Sequence, residues 1–305
     1  MNIIYFINKE THETKMSRVR FHSIDAISKL SNLKYDGPGW PGFKSLQESI
    51  KQFKADLVIW YKPLELPGFK EVSVPKIIQY NEMYDKNWTT REITESKSNL
   101  VICHHLNDWQ NYSNLKNVKL VNIPHSAERT IFKDYGMYKK FHISLLGSLG
   151  TAYPLRRRFK QLIEEKLSKK FNCYIHRHPG YRLTNAQSNE ELIKYAKIIN
   201  QSKICLTCSS RYHYRLGKYV EIPMSNSLLV GDLPDEQNEL FRKIMVVIDP
   251  NESDESIINK IEYYLINEKE RKEKTKMGMN LMLQNYTQEH YAERFIKLVK
   301  ENLNV

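Results

Sequence analysis

The sequence predicts an α/β protein of two doubly wound parallel-sheet domains, and three observations predict it. Short apolar, β-branched runs alternate with segments of helical period along most of the chain. Turn residues stand where those runs stop, as at Gly147 and Gly231. Its 305 residues suffice for two cores of ordinary size.

Asn2 to Ile7 reads as the first strand, and Ser17 to Leu33 contains a helix with Val19, Ile24, Ile27 and Leu30 as its buried stripe. The stretch 36–42, DGPGWPG, is a turn-rich loop. A helix over Phe43 to Phe53 precedes a strand at 55–60, and a further strand, 74–80, runs into the polar loop Asn81-Glu82-Met83-Tyr84-Asp85. Thr89 to Lys97 is helical, and 100–103 and 118–123 are strands. In such a sheet, ligand residues gather on loops after the strands. That rule singles out Trp60 to Lys62, the 81–85 loop, His104, His105 and His125.

A polar, basic stretch at 133–140 suits a linker. Phe141 to Leu146 is then a strand entering Gly147-Ser148-Leu149-Gly150, and Tyr153-Pro154 opens a helix lasting to about Lys169. A glycine turn before a helix start exposes backbone N–H groups to phosphate, and guanidinium forks such as Arg156 or Arg158 match phosphate geometry. Residues 171–176 form a strand ending at the His178 loop, and Glu190 to Asn200 is a helix. Strands follow at 203–208, 228–230 and 244–249. Helical period fills 253–284, and 287–303 carries Tyr291, Phe295, Leu298 and Val299 at helical intervals.

Between the strands at 203–208 and 228–230 lies the polar aromatic loop 209–215, which includes Ser210, Tyr214 and Arg215, and then a helix over Leu216 to Met224. On that helix Lys218 and Glu221 share a neighbouring face. They are either an exposed i, i+3 ion pair or a cation for phosphate beside a carboxylate for a ribose diol.

The run 214–223, YRLGKYVEIP, followed by LLVGD at 228–232, resembles the donor-binding half of group-1, CgeB-like glycosyltransferases, particularly those of large DNA viruses and phages. Tyr153-Pro154-Leu155-Arg156 and its preceding strand resemble the start of the viral donor domain, and 123–132 resembles more weakly the close of the first domain. The resemblance covers about 140–250 well and the first 120 residues poorly. It implies the GT-B fold: two Rossmann-like doubly wound parallel-sheet domains facing a cleft, with a C-terminal helix crossing back. Residues 1–136 would form the acceptor-side domain, 137–285 the donor domain and 286–305 that returning helix. It also implies that Lys218 contacts the donor diphosphate and Glu221 its ribose.

Composition narrows the class. With 41% hydrophobic and 27% charged residues the chain is globular, and no apolar run approaches the roughly 18 residues of a membrane span. The first ten residues read as a strand rather than a secretion signal, so a cytoplasmic location is expected, in the host cell if the protein is viral. Cys103, Cys173, Cys205 and Cys208 form no disulfide framework in a chain this long. Cys205 and Cys208 have zinc-like spacing without a second pair, and His176 with His178 lacks a third ligand. Net charge is +12, and residues 129–182 hold 13 basic against three acidic side chains. Such a field steers anions, either a phosphorylated donor or a nucleic acid.

The expected activity is therefore glycosyl transfer from a UDP- or GDP-linked sugar to a hydroxyl on a glycan or protein. Gly147, Ser148, Gly150, Arg156, Arg158, His178, Ser210, Tyr214, Arg215, Lys218 and Glu221 would hold the donor. Glu82 or Asp85 would serve as base. Cations around the diphosphate would replace a divalent ion, so no metal or other cofactor is expected. The alternatives are a DNA-modifying glycosyltransferase, since a phage DNA glucosyltransferase has a similar Arg-x-x-Glu layout, a non-catalytic nucleotide-sugar or nucleic-acid binding module, or an epimerase or phosphorylase on the same fold.

Overall fold

The computed structural model describes residues 1–14, 18–112, 114, 115, 118–177 and 183–303. The chain divides into two units, one chiefly of Met1–Pro124 with Gln288–Val305, the other of His125–Gly180 with Ala186–Thr287. Each is built on one parallel sheet.

The first unit runs β1 (Asn2–Phe6), α1 (Lys9–Thr14), α2 (Arg18–Ser28), β2 (Asn32–Asp36), α3 (Leu46–Phe53), β3 (Leu57–Trp60), β4 (Lys76–Tyr80), α4 (Lys86–Ser96), β5 (Leu100–Cys103) and β6 (Lys119–Asn122). Its strands lie in the order β2-β1-β3-β4-β5-β6. Alternation sends Ile3, Tyr5 and Ile7 into one apolar cluster and Ile4 and Phe6 into another, so both faces of the sheet are covered. The helix expected within 17–33 is α2, but one expectation is corrected: Leu30 lies beyond its end at Ser28 and is exposed, and a strand, β2, follows. β2 hid from the hydrophobic pattern because it is a half-exposed edge strand of sequence NLKYD.

The second unit runs β7 (Phe141–Leu145), α5 (Pro154–Glu165), β8 (Cys173–Ile175), α6 (Asn185–Asn200), β9 (Ser202–Leu206), α7 (Lys218–Met224), β10 (Leu228–Gly231), α8 (Asn238–Ile244), β11 (Met245–Val247), α9 (Asp254–Ile266) and α10 (Glu268–Asn285). Strand order is β11-β10-β9-β7-β8. Cys205 and Leu229 face one cluster, whereas Ile204, Leu206, Leu228 and Val230 face the other. The helical stretch after 253 breaks at Asn267 into α9 and α10. The polar stretch 133–140 is pinned rather than loose: Asn200 and Asn226 donate to Asp134, and Lys139 donates to the Asn200 carbonyl at 2.7 Å.

α11 (Gln288–Asn302) closes the first unit. Tyr291, Ala292, Phe295 and Val299 are buried in the same cluster as β1 and α2, and the Gln79 amide donates to the Tyr291 hydroxyl at 2.9 Å.

Candidate functional site

In the second sheet β7 and β9 are neighbours, and the chain turns from one side of β7 to the other between β8 and β9. Loops leaving the carboxyl ends of two such strands form the natural ligand crevice of an open α/β sheet. Here those loops are 147–153 and 207–217.

Gly147 follows β7 with φ +96°, in the left-handed region. A Cβ at this position would stand 2.5 Å from Lys218 Cε and 2.7 Å from Arg156 Nη1. Two cationic side chains therefore close on a backbone segment that only glycine leaves open. Pro154, the first residue of α5, starts that helix with its φ preset, and Arg156 projects from the first turn. It is almost wholly buried. Its Nε donates to Thr207 Oγ1 at 3.1 Å, Nη1 to the Ser148 carbonyl at 3.2 Å and Nη2 to the Cys208 carbonyl at 3.1 Å. Its Cζ lies 4.1 Å from the centre of the Tyr153 ring. Arg156 thus stitches together the loops after β7 and β9. The Ser148 hydroxyl accepts from the Gly150 N–H at 3.2 Å, completing the turn.

Lys218 and Glu221 sit in α7, and the Tyr195 hydroxyl of α6 donates to Glu221 Oε2 at 3.4 Å. Lys218 Nζ lies 5.7 Å from the centre of the Tyr195 ring. Burial pushes the Lys218 ammonium below its usual pKa, with the Glu221 carboxylate opposing and Arg156 reinforcing the fall. Burial likewise raises the Glu221 carboxyl, opposed by Lys218, by the Tyr195 hydrogen bond and by Arg156. Of the two readings left open for this pair, the exposed ion pair does not describe it: Glu221 is 7% exposed.

The remaining residues sort by contact. Ser210 is buried with φ +70°, and its hydroxyl accepts from the Tyr212 N–H. Tyr214 is buried and stacks on Tyr212. Arg215 is fully buried; it donates to the His125 carbonyl at 2.6 Å and lies 4.6 Å over the Tyr286 ring, at the segments where the chain enters and leaves this unit. Arg158 makes contacts at another place, with Asp254 at 2.7 Å and with the carbonyls of Pro250 and Glu252. His178 lies outside the described residues.

Sequence reasoning missed Thr207, Tyr195 and Asp232. Asp232, at the end of β10, accepts from the Ser209 N–H and hydroxyl at 2.8 and 2.6 Å and fixes the loop after β9. Its neighbour Gly231 is required, because a Cβ there would stand 2.6 Å from the Thr207 carbonyl oxygen. The Gly-Asp pair ending an apolar run was the available signal. Tyr195 falls in a helical stripe and gave none.

In the first unit, the 81–85 loop follows β4. Asp85 caps α4, its carboxylate accepting from the Trp88 N–H at 3.1 Å. Glu82 presents exposed surface, yet crowding by neighbouring atoms raises its carboxyl pKa and the Asp108 charge adds to the rise. Asp108 accepts from the Met83 N–H at 2.8 Å, and the Tyr112 hydroxyl donates to the Met83 carbonyl, so the loop is braced from below. His104 and His105 are buried, and a ring nitrogen of His104 bonds the Ile123 carbonyl.

Among the described residues, no three His, Cys, Asp or Glu side chains converge as a metal-binding group. The four cysteines are free. No described helix is long and apolar enough to cross a membrane.

Comparison with known proteins gives a family match over part of the chain and a likeness of fold. Residues 155–297 match a family model described as glycosyl transferase-like. Over 99% of this chain, the structure superposes on sucrose-phosphate synthase from Thermosynechococcus elongatus, covering 98% of that chain with a TM-score of 0.65 at 10% identity. A glycosyltransferase from Rickettsia africae ESF-5 gives 0.64 at 15% identity, with 99% and 98% covered. HepE from Anabaena, solved in complex with UDP-glucose, gives 0.66 at 10% identity, with 99% and 100% covered. No curated protein matches the sequence. The fold is GT-B, with two parallel α/β sheets.

Proposed function

We propose that this protein transfers a sugar from a UDP-linked donor to a hydroxyl group on a glycan or protein. The observation that carries the reading is the approach of Lys218 and Arg156 to Gly147, with Glu221 one turn along α7. A diphosphate laid along the Gly147-to-Gly150 turn would meet the Lys218 ammonium and the uncapped start of α5, where no side chain takes the first N–H groups. Arg156, already holding both loops, would set their spacing and add its field.

Charge grows on the diphosphate as the bond to the sugar breaks, and fixed cations in a partly dry site stabilise it most in the transition state. Lys218, with its pKa pressed down, would also be more strongly charged once a phosphate arrives. Glu221 would accept hydrogen bonds from the ribose diol. In this reading the cations do the work of a divalent ion. UDP is favoured over GDP because HepE was solved with UDP-glucose and resembles this chain over its full length.

Three of the 13 basic side chains in 129–182 form ion pairs within the chain, Arg158 with Asp254, Lys160 with Glu164 and Lys170 with Glu262. The convergence of Arg156 and Lys218 on one glycine turn favours a small phosphorylated donor over a nucleic acid.

Thermal shift with UDP, GDP, ADP and UDP-glucose tests the reading. UDP and UDP-glucose are expected to raise the melting temperature by mass action, and Lys218→Ala to abolish the rise. A rise with none of the four, or one that survives both Lys218→Ala and Glu221→Ala, would overturn it.

A further inference from the structure

All five strands of the second sheet are parallel, so they start at one edge, and the turn at Gly147 lies at the other, roughly 15 Å away along β7. The residues that lead into those strands are largely basic: Lys139 and Lys140 before β7, Lys169 and Lys170 before β8, Arg242 and Lys243 before β11, with Lys203 second in β9. Contacts join them into one face. The Asn172 amide donates to the Lys140 carbonyl at 2.9 Å, and Lys170 reaches Glu262 of α9 at 2.9 Å. Arg271 of α10 donates to the Tyr264 and Leu265 carbonyls at the end of α9, at 2.8 and 3.0 Å, and Lys274 to the Lys243 carbonyl at 2.9 Å.

Three carboxylates of this face are occupied: Glu262 by Lys170, Glu268 by Lys272, and Asp134 by Asn200 and Asn226. Lys140, Lys166, Lys169, Lys197 and Lys243 are exposed, and none of the five pairs with a carboxylate among the described residues. Cations beside the carboxyl ends of helices offset the helix dipole, which accounts for Lys166, Lys197 and Lys243 but not for Lys140. Nor does it account for Tyr138 and Ile266. At 86% and 77% exposed, they are the most exposed large apolar side chains among the described residues. Both stand at this edge, Tyr138 two residues before Lys140 and Ile266 at the end of α9, one turn past Glu262.

A phosphate backbone would use the lysines and leave an isoleucine in water. An anionic bilayer uses both, drawing lysines to its headgroups while tyrosine and isoleucine side chains enter the interface. We infer that this edge of the second unit docks on a membrane surface bearing anionic lipid, with Tyr138 and Ile266 inserted. The donor turn, at the far edge, plays no part in the contact.

Co-sedimentation of the full chain with lipid vesicles tests it. Wild type is expected to bind phosphatidylcholine vesicles carrying about one third phosphatidylserine, to ignore phosphatidylcholine alone, and to lose the binding between about 0.1 and 0.5 M salt. Lys140→Gln, Lys169→Gln and Lys243→Gln together should weaken it about a hundredfold. Tyr138→Ser with Ile266→Ser, which keeps every charge, should weaken it about tenfold. All five side chains are exposed, so both variants should keep the wild-type melting temperature. The inference falls if wild type ignores the anionic vesicles, or if either variant binds them as wild type does. A fluorescent DNA duplex in the same buffer supplies the contrary result. Duplex binding that needs the three lysines but neither Tyr138 nor Ile266, without vesicle binding, would assign the edge to nucleic acid instead.

Discussion

The Cε of Lys218 occupies the space that a side chain at Gly147 would need, 2.5 Å from where a Cβ would lie. The lysine and the glycine define a single cradle from two loops far apart in sequence. Gly147→Ala is therefore expected to destabilise the protein by about 1–3 kcal/mol, from the left-handed backbone and the clash together. It should also eliminate the UDP-induced thermal shift. Denaturant titration with and without UDP checks both. A variant of wild-type stability that still binds UDP would show that the cradle is not the donor site.

The two arginines of α5 should separate sharply. Arg156 is buried with three hydrogen bonds to two loops, and Arg156→Leu leaves a hydroxyl and two carbonyls without their donor, a loss of about 3–5 kcal/mol. Arg158 keeps about a quarter of its side chain exposed (28%) in its pair with Asp254, and Arg158→Ala is expected to cost about 1 kcal/mol and to leave the UDP response intact. Urea midpoints for the two variants decide the matter.

Glu221 carries a stability cost beside the binding role proposed for it. Burial holds its folded-state pKa above the unfolded value, so its contribution is present at low pH and is lost as pH rises through the folded pKa. Glu221→Gln should accordingly melt higher than wild type at pH 7 to 8 and bind UDP about tenfold more weakly. Melting curves from pH 4 to pH 8 should converge at the acid end. A variant less stable at neutral pH would contradict the account.

Lys139 provides a pH dependence of opposite sign. Burial lowers its pKa from 10.5 to about 8, with Cys205 and Asp134 opposing the fall. Between pH 8 and pH 10.5 the unfolded chain binds the extra proton, so this residue's contribution grows as pH rises and is lost as pH falls through about 8. Relative to Lys139→Met, wild type should gain of order 1–2 kcal/mol across that range, after allowing for solvent screening. Chemical denaturation at pH 7.5 and pH 9.5 measures the difference.

Asp85 and Glu82 can be told apart by rescue. Asparagine caps a helix as well as aspartate does, so Asp85→Asn should retain stability whereas Asp85→Ala should lose about 1 kcal/mol. If Asp85 is only a cap, neither change alters sugar transfer. Glu82→Gln that abolished transfer without changing the melting temperature would make Glu82 the base, and full activity would remove it from the reaction.

Much of the architecture was legible because buried strands in a doubly wound sheet write continuous apolar runs, and the turn at Gly147 and the Lys218–Glu221 spacing were visible in the same way. What the pattern concealed has physical causes. β2 is an edge strand, and its half-exposed residues have no apolar signature. Arg156 and Arg158 are indistinguishable as letters, and only the fold shows that one closes the loops after β7 and β9 while the other anchors the start of α9. Tyr195 looks like any core aromatic until its hydroxyl is found on Glu221. The burial of Glu92 was hidden for a related reason: α4 reads as a polar helix, and burial of one carboxylate within it is a tertiary fact.

The placement of α11 affects how the chain acquires its shape during synthesis. Because Tyr291, Phe295 and Val299 complete a core begun by Ile3 and Tyr5, the amino-terminal half leaves the ribosome with an apolar face uncovered. The segment from His125 to Thr287 can mature first, since it includes all of its own strands. Until α11 docks, the first unit keeps that apolar face open to water, and exposed apolar surface of this kind is what makes a partly folded chain prone to association.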